Sequence, residues 1–457
     1  MHRLVARTGV PASAACAALA CVLGALGACS EDTDLGLQAD SGAGEGGVLD
    51  APSSGTGMTV TTLAPTLTAA PAAKASATWA AYRLDDGEWR VLAPTAVGTY
   101  TFAAPVARWA IALVCASGDD ALTTVFIHRR TAATRSLEVA LEAQCTPEPP
   151  PAEFTLVGTI SNLPATTQWL DFGYALDTRG GVLPVAAGKA SYEMVGVAPG
   201  TWDLGFGIRD DSFGALTRMF LLRETTVSAD RTLDIDATGP ASFAPASKRL
   251  VLRGLESKDT ITPQIFYAAG GPHGIDVGPQ DVPVDMPDVT LAYATVPEAM
   301  QVAGDRYHGV ITAERDRREA VRTIELSVHR AVDIDVSLLA VAAVPRVVVL
   351  GTTPQVRLET RFPVLANAAR HEVHVLAEVN RRTRHVWHAT FDAAVVAGTS
   401  EVVDTMPDLS ALPGWRSEWA LPIGLPAAVT ATGHEAPQTL GDGTLERATG
   451  NTTELTP

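Results

Sequence analysis

From about residue 58 onward, apolar positions gather in short runs rich in Val, Thr, Leu and aromatic residues, with polar turns between them. Thr99-Tyr100-Thr101-Phe102, Trp109 to Val114 and Thr124 to Ile127 read as strands, separated by turn signals such as Asp85-Asp86-Gly87 and Ser117-Gly118-Asp119-Asp120. No long stretch has the helical period. Short strands with turn signals about every 8–12 residues predict an all-β protein built of sandwiches rather than alternating α/β units.

The pattern also repeats. Tyr100-Thr-Phe, Trp109-Ala-Ile, Thr124-Val-Phe-Ile and Ser136-Leu-Glu-Val form one series. Tyr192-Glu-Met, Trp202-Asp-Leu, Met219-Phe-Leu-Leu and Thr232-Leu-Asp-Ile-Asp form a second, and a weaker third ends in Thr323-Ile-Glu-Leu and Ala331-Val-Asp-Ile-Asp-Val. A spacing of about 90 residues fits tandem sandwich domains of the immunoglobulin-like or transthyretin-like kind. Proline marks the joints at 146–151, at Pro240 and at Pro345. The expected division is a leader at 1–28, a tether at 29–57, β-sandwiches at 58–146, 153–237 and 247–340, a β-rich domain at 345–432 and a polar tail at 433–457. A 457-residue chain is long enough for roughly three or four cores.

The leader has a different pattern. Arg3 and Arg7 precede an Ala-rich apolar stretch from Val10 to Leu26, the charge-then-apolar order of an export signal. It is short and small-residue-rich for a membrane span, which needs about 20 strongly apolar residues. It ends in Leu26-Gly27-Ala28-Cys29, which resembles the lipobox of bacterial lipoproteins. The resemblance covers about the first 30 residues and implies lipid on the Cys29 thiol, cleavage after Ala28 and acylation of the new amine. Two or more acyl chains give stable attachment to a membrane. Ser30, in place of an aspartate, implies sorting to an outer membrane. The following 28 or so residues are rich in Gly, Ser and acids and reach on the order of 30 Å as a flexible chain.

A second resemblance covers residues 154–236. Leu156-Val-Gly-Thr-Ile160, Val195-Gly-Val-Ala-Pro199-Gly200-Thr201-Trp202-Asp203-Leu204 and Arg231-Thr-Leu-Asp-Ile-Asp236 resemble the carboxypeptidase regulatory-like β-sandwich family. Members mostly serve as spacers or binding modules of exported proteins, and the fold alone licenses no activity. Pro199-Gly200 reads as a hairpin turn into a buried strand.

Charge and cysteine count narrow the partners. The net charge is −17, and losing Arg3 and Arg7 makes it two units more negative, which argues against nucleic acid. Of five cysteines, Cys16 and Cys21 lie in the leader and Cys29 is the lipid site. Cys115 and Cys145 remain, either as a disulfide favoured by an oxidising compartment or as two buried thiols. A bridge closing this loop is worth roughly 3–4 kcal/mol in the chain-entropy account.

Candidate chemistry concentrates in one hairpin. His371, His374, His385 and His388 fall within eighteen residues. The alternation is that of strands, so His371-Glu-Val-His374 is not the helical zinc-protease pattern. Val373, Val375, Ala377 and Val379 share one face, and Glu372, His374 and Glu378 the other; His388 on the return strand joins the second set. Glu372, His374 and His388 form either a metal site or a solvated outer face. Asp234-Ile-Asp236 and Asp333-Ile-Asp335 place paired acids on strand faces without the oxygen-rich loop that calcium needs. Trp415 and Trp419 either stack on sugar rings or close a core. No nucleophile elbow or phosphate loop is present, and no cofactor is implied.

The expectation is a non-enzymatic, lipid-anchored envelope protein with a surface interaction or scaffold role, its partners a membrane and a cell-surface protein or polysaccharide. The alternatives are a carbohydrate- or metal-binding module and, third, an envelope hydrolase.

Overall fold

The computed structural model describes residues 57–457 apart from 65–72, 119–120, 143–153, 166, 168, 174–187, 198, 211–215, 269–273, 280–281, 284–286, 316–318 and 381–382. The leader, Cys29, the tether, the 146–151 linker, Cys145 and the Asp119-Asp120 end of one turn signal therefore lie outside the described residues. Among the described residues the regular elements are strands and short 3-10 turns, and the protein is all-β with several sheets.

Three small sheets repeat one arrangement. Gly57–Leu63 runs antiparallel to Thr99–Ala103 and parallel to Ser136–Ala140. Phe154–Ser161 runs antiparallel to Ala190–Val197 and parallel to Arg231–Thr232 and Ile235–Asp236. Ala246–Arg253 runs antiparallel to Asp288–Thr295 and parallel to Ile334–Ser337. Each sheet holds a buried tyrosine, Tyr100, Tyr192 or Tyr293. The Tyr192 and Tyr293 hydroxyls donate to the carbonyls of Leu233 and Val332 at 2.6 Å, and Tyr100 accepts from the Ala77 N–H at 3.0 Å. Tyr293 thus supplies the start of the third copy, which is faint in the sequence.

Most of the remaining strands belong to a single 14-stranded sheet. Its spine runs Gly274–Asp276, Thr260–Ala268, Arg306–Arg315, Ala320–Val328, Gly443–Leu455, Ala427–Glu435, Ala368–Asn380, Thr383–Asp392, Leu122–Thr131, Arg108–Ala116, Trp79–Leu84 and Arg90–Val91. It draws strands from three stretches that the proline-marked joints separate. Its pairings are antiparallel except where Thr383–Asp392 lies parallel to Leu122–Thr131, with His388 opposite Phe126 and Thr390 opposite His128.

That junction explains the unbroken apolar run in Arg108–Ala116. One face of this strand, with Trp109, Ile111 and Leu113, packs under the sheet that holds Tyr100. The other, with Ala112 and Val114, joins Val373, Val375, Trp387 and Phe391 beneath the sheet Arg346–Gly351, Arg357–Pro363 and Glu401–Thr405. A strand buried on both faces reads as a continuous hydrophobic run rather than an alternating one.

The stretches on either side of Pro240 share a core as well. Leu216, Met219 and Leu221 pack with Leu250, Leu252, Ile261 and Tyr267. Gly205 is required there, because a Cβ would lie 2.2 Å from Ile275. Arg223 locks the contact by donating to Asp203, Asp305 and the Met300 carbonyl at 2.8–2.9 Å.

Two sequence expectations change. Strands Ala190–Val197 and Gly200–Arg209 belong to different sheets, so Pro199-Gly200 is a corner between sheets rather than a hairpin. The stretch from 433, expected as a polar tail, contains Gly443–Leu455, an interior strand between Ala320–Val328 and Ala427–Glu435. Its polar side chains have partners: Thr449 donates to the Ala340 carbonyl and Asn451 to that of Ala342, both at 2.9 Å. A strand held by backbone pairing on both sides does not need strict apolar alternation.

Two outcomes follow. Truncation after Asp442 leaves each neighbouring strand paired on one side only and splits the spine of the large sheet in two, and thermal unfolding followed by circular dichroism should lose its cooperative transition. At the parallel junction Arg129 pairs with buried Asp404 at 2.7 Å and covers the Phe391 ring at 4.7 Å. Asp404→Ala should cost about 3–5 kcal/mol in chemical denaturation by stranding the guanidinium, and adding Arg129→Met should restore most of it.

Candidate functional site

The histidine-rich hairpin forms as the alternation predicts. His374 lies directly opposite His388, and Glu372 opposite Thr390. Val373, Val375 and Ala377 are buried in the core, whereas Val379 is exposed beyond its edge. The polar face is not a solvated surface: Glu372, His388, His128 and His434 are all less than 10% exposed, and His374 is partly covered. The physical reason is the neighbouring strands. Leu122–Thr131 brings His128 and Arg130 from one side, and Ala427–Glu435 and Gly443–Leu455 bring His434 and Glu446 from the other.

Glu372 sits at the centre. One carboxylate oxygen lies 3.3 Å from His388 Nε2 and 3.4 Å from His434 Nε2, and the other 2.8 Å from Arg370 Nε. His434 Nδ1 and Arg370 Nη2 meet the same Glu446 oxygen at 3.0 and 3.1 Å. At the far end Thr390 Oγ1 lies 2.8 Å from His128 Nδ1 and accepts from Arg130 Nη1 at 3.1 Å, while Arg130 Nε pairs with Asp392 at 3.2 Å. Phe126 separates the two ends, 6.3 Å from the His128 ring and 6.0 Å from that of His388.

This electrostatic arrangement splits the histidines. Burial holds His128 well below its ordinary value, with Arg130 acting in the same direction. Burial and the neighbouring His388 push His374 down to about 3. Burial also lowers His371, His385 and His308. His434 goes the other way: burial opposes its charge, but Glu372 and Glu446 more than offset this and raise it. Burial would likewise raise Glu372, yet His434 and His388 keep it well below the usual carboxylate range. Glu325, on the next strand, is raised by burial and by the charge of Glu446.

Chemically this is a closed ion-pair network. Of the proposed metal ligands, Glu372 and His388 touch, whereas the His374 ring centre lies 6.1 Å from that of His388. Among the described residues no group of three or more His, Cys, Asp or Glu side chains is arranged to hold a metal ion. Arg370, His128, His434 and Glu446 were not among the sequence candidates. Each sits in an alternating strand, and only the register of strands far apart in the chain brings them together.

The other candidates have structural surroundings. Trp419 is 2% exposed, and Trp415 packs against both it and Trp79, with ring centres 5.6 and 5.4 Å away, while Trp79 and Trp419 are 6.3 Å apart. Trp79 Nε1 donates to the Pro413 carbonyl at 3.1 Å, and Gly414, at φ +79°, lies against its ring. The two tryptophans therefore fasten the 413–419 loop to the start of the Trp79–Leu84 strand and contribute to the core. Asp234 accepts from the Thr159 N–H and hydroxyl at 2.9 and 2.8 Å, and Asp333 from the Arg249 N–H at 2.9 Å, the same clip in two repeats. Asp236 accepts from Asn162 and Thr238, and Asp335 takes both Arg253 Nε and Nη2. Cys115 is fully buried, and Cys145 is outside the described residues.

No protein-family model matches the chain, and no curated protein is significantly similar to it.

The split histidines dictate a pH dependence. A histidine held below its unfolded value binds fewer protons folded than unfolded, so its contribution to stability is lost as pH falls through 6.5 and below. His128, His308, His371, His374 and His385 act in this sense; His434, raised, favours folding below 6.5 and loses that contribution as pH rises. Stability measured by denaturant titration should fall between pH 7 and 5, where the lowered histidines outnumber the single raised one. His374→Gln should flatten the slope by up to about 1.4 kcal/mol per pH unit.

Proposed function

We propose that the protein is a lipid-anchored component of the bacterial cell envelope that acts as a surface interaction or scaffold protein rather than as an enzyme. The observation that carries this reading is Leu26-Gly27-Ala28-Cys29 at the end of a charged-then-apolar leader. The Gly- and acid-rich stretch after Cys29 acts as a tether, and the three repeated Tyr-bearing sheets are the outer layers of tandem sandwich domains of immunoglobulin-like or transthyretin-like type. The 154–236 stretch is the one similar to carboxypeptidase regulatory-like modules. An exported location also pairs Cys115 with Cys145 as a disulfide. The broad sheet supports a scaffold role: it joins distant parts of the chain in one body, and the histidine–carboxylate cluster serves as internal cement. The body reaches its partners through its exterior.

The test compares the native chain with Cys29→Ser by intact mass and membrane fractionation. The native protein should carry acyl mass on Cys29 and sediment with the outer membrane, and Cys29→Ser should lose that mass. Two unmodified proteins in the soluble fraction would overturn the anchor. The same spectra, with and without reductant, read the state of Cys115 and Cys145.

A further inference from the structure

Among the described residues one sheet edge gathers several exposed large apolar side chains. Val344, Val348, Val349 and Leu350 are 39–59% exposed, a cluster of large apolar side chains within seven residues. Three of them lie in Arg346–Gly351, the outer strand of the sheet with Arg357–Pro363 and Glu401–Thr405, which is paired on one side by Arg357–Pro363. No charged residue occurs from Val347 to Gln355. The spine of the 14-stranded sheet, by contrast, ends in strands of three and two residues, Gly274–Asp276 and Arg90–Val91, and the opposite edge of this small sheet begins with Glu401. Short or charged edges prevent pairing with another chain; a flat apolar edge invites it.

We propose that Arg346–Gly351 pairs with the same strand of a second copy, antiparallel about a two-fold axis at Val348. The occupant follows from self-complementarity. In an antiparallel pair that keeps the sheet faces aligned, a two-fold at Val348 sets Val348 opposite Val348, Val347 opposite Val349 and Arg346 opposite Leu350. The central pairs are entirely apolar. The aliphatic stem of each Arg346 lies along a leucine, while its guanidinium stays 2.9 Å from Glu401 of its own chain. The two arginines are four residues apart along the pair, roughly 13 Å, and do not oppose each other. Two copies each carrying −17 repel over most of their surfaces, but here they meet along a strand without acids whose one cation is already paired. The register irregularity between Val349 and Gly351 ends the pairing and limits the contact to a closed dimer. This dimer goes beyond the envelope reading and does not depend on the lipid anchor.

The test uses the full chain carrying Val348→Cys, oxidised mildly and analysed by non-reducing electrophoresis and mass spectrometry. Val302→Cys, at a site as exposed as Val348, is the control. Val348→Cys should give a covalent homodimer at least about ten-fold faster than the control, and Val348→Lys should weaken dimerisation in sedimentation by about the same factor. Val348 is 52% exposed, so neither change threatens the fold. Equal rates at the two positions, an adduct with a different protein, or a Val348→Lys chain that dimerises as well as the native one would overturn the proposal.

Discussion

The structure depends on one parallel pairing, between Leu122–Thr131 and Thr383–Asp392. These segments are about 260 residues apart, and no local turn can hold them in register. Two hairpins, 108–131 and 368–392, are joined there side by side, and both faces of the joint are covered. The apolar side chains on one face and the ion pair of Arg129 with Asp404 set the register. A one-residue slip would turn each of these side chains to the wrong layer.

The polar network is a consequence of that joint. Once the hairpins meet, the outer face of the 368–392 hairpin has neighbours on both sides, and Glu372 and His388 leave solvent. Buried charge is tolerated only when paired, and the flanking strands supply His434, Arg370 and Glu446 for this purpose. Histidines that remain uncharged at the edges of the network, His128 and His374, make the same region sensitive to acid.

The repeats give the molecule its layers and the large sheet gives it continuity. Tyr100, Tyr192 and Tyr293 mark the same position in three sheets, each tied by a hydrogen bond to a segment outside its own strand. The second strand layers of the first and third repeats do not remain separate but extend into one another through Gly443–Leu455 and the 368–392 hairpin. The second repeat is bound to the third through Arg223 and a shared apolar core.

Local pattern determined the strands, their turns, the repeats and the two faces of the 368–392 hairpin, because a period of two depends on neighbouring residues alone. It also carried the lipobox, a motif of consecutive residues. The pairing of distant strands was decided by tertiary structure, since register between segments hundreds of residues apart leaves no local trace. For that reason Gly443–Leu455 looked like a tail, Pro199-Gly200 like a hairpin, and Glu372 and His388 like surface residues or ligands. Arg108–Ala116 carries a continuous apolar run because both of its faces are covered. Its second cover, assembled from residues 346–431, could be identified only in the folded chain.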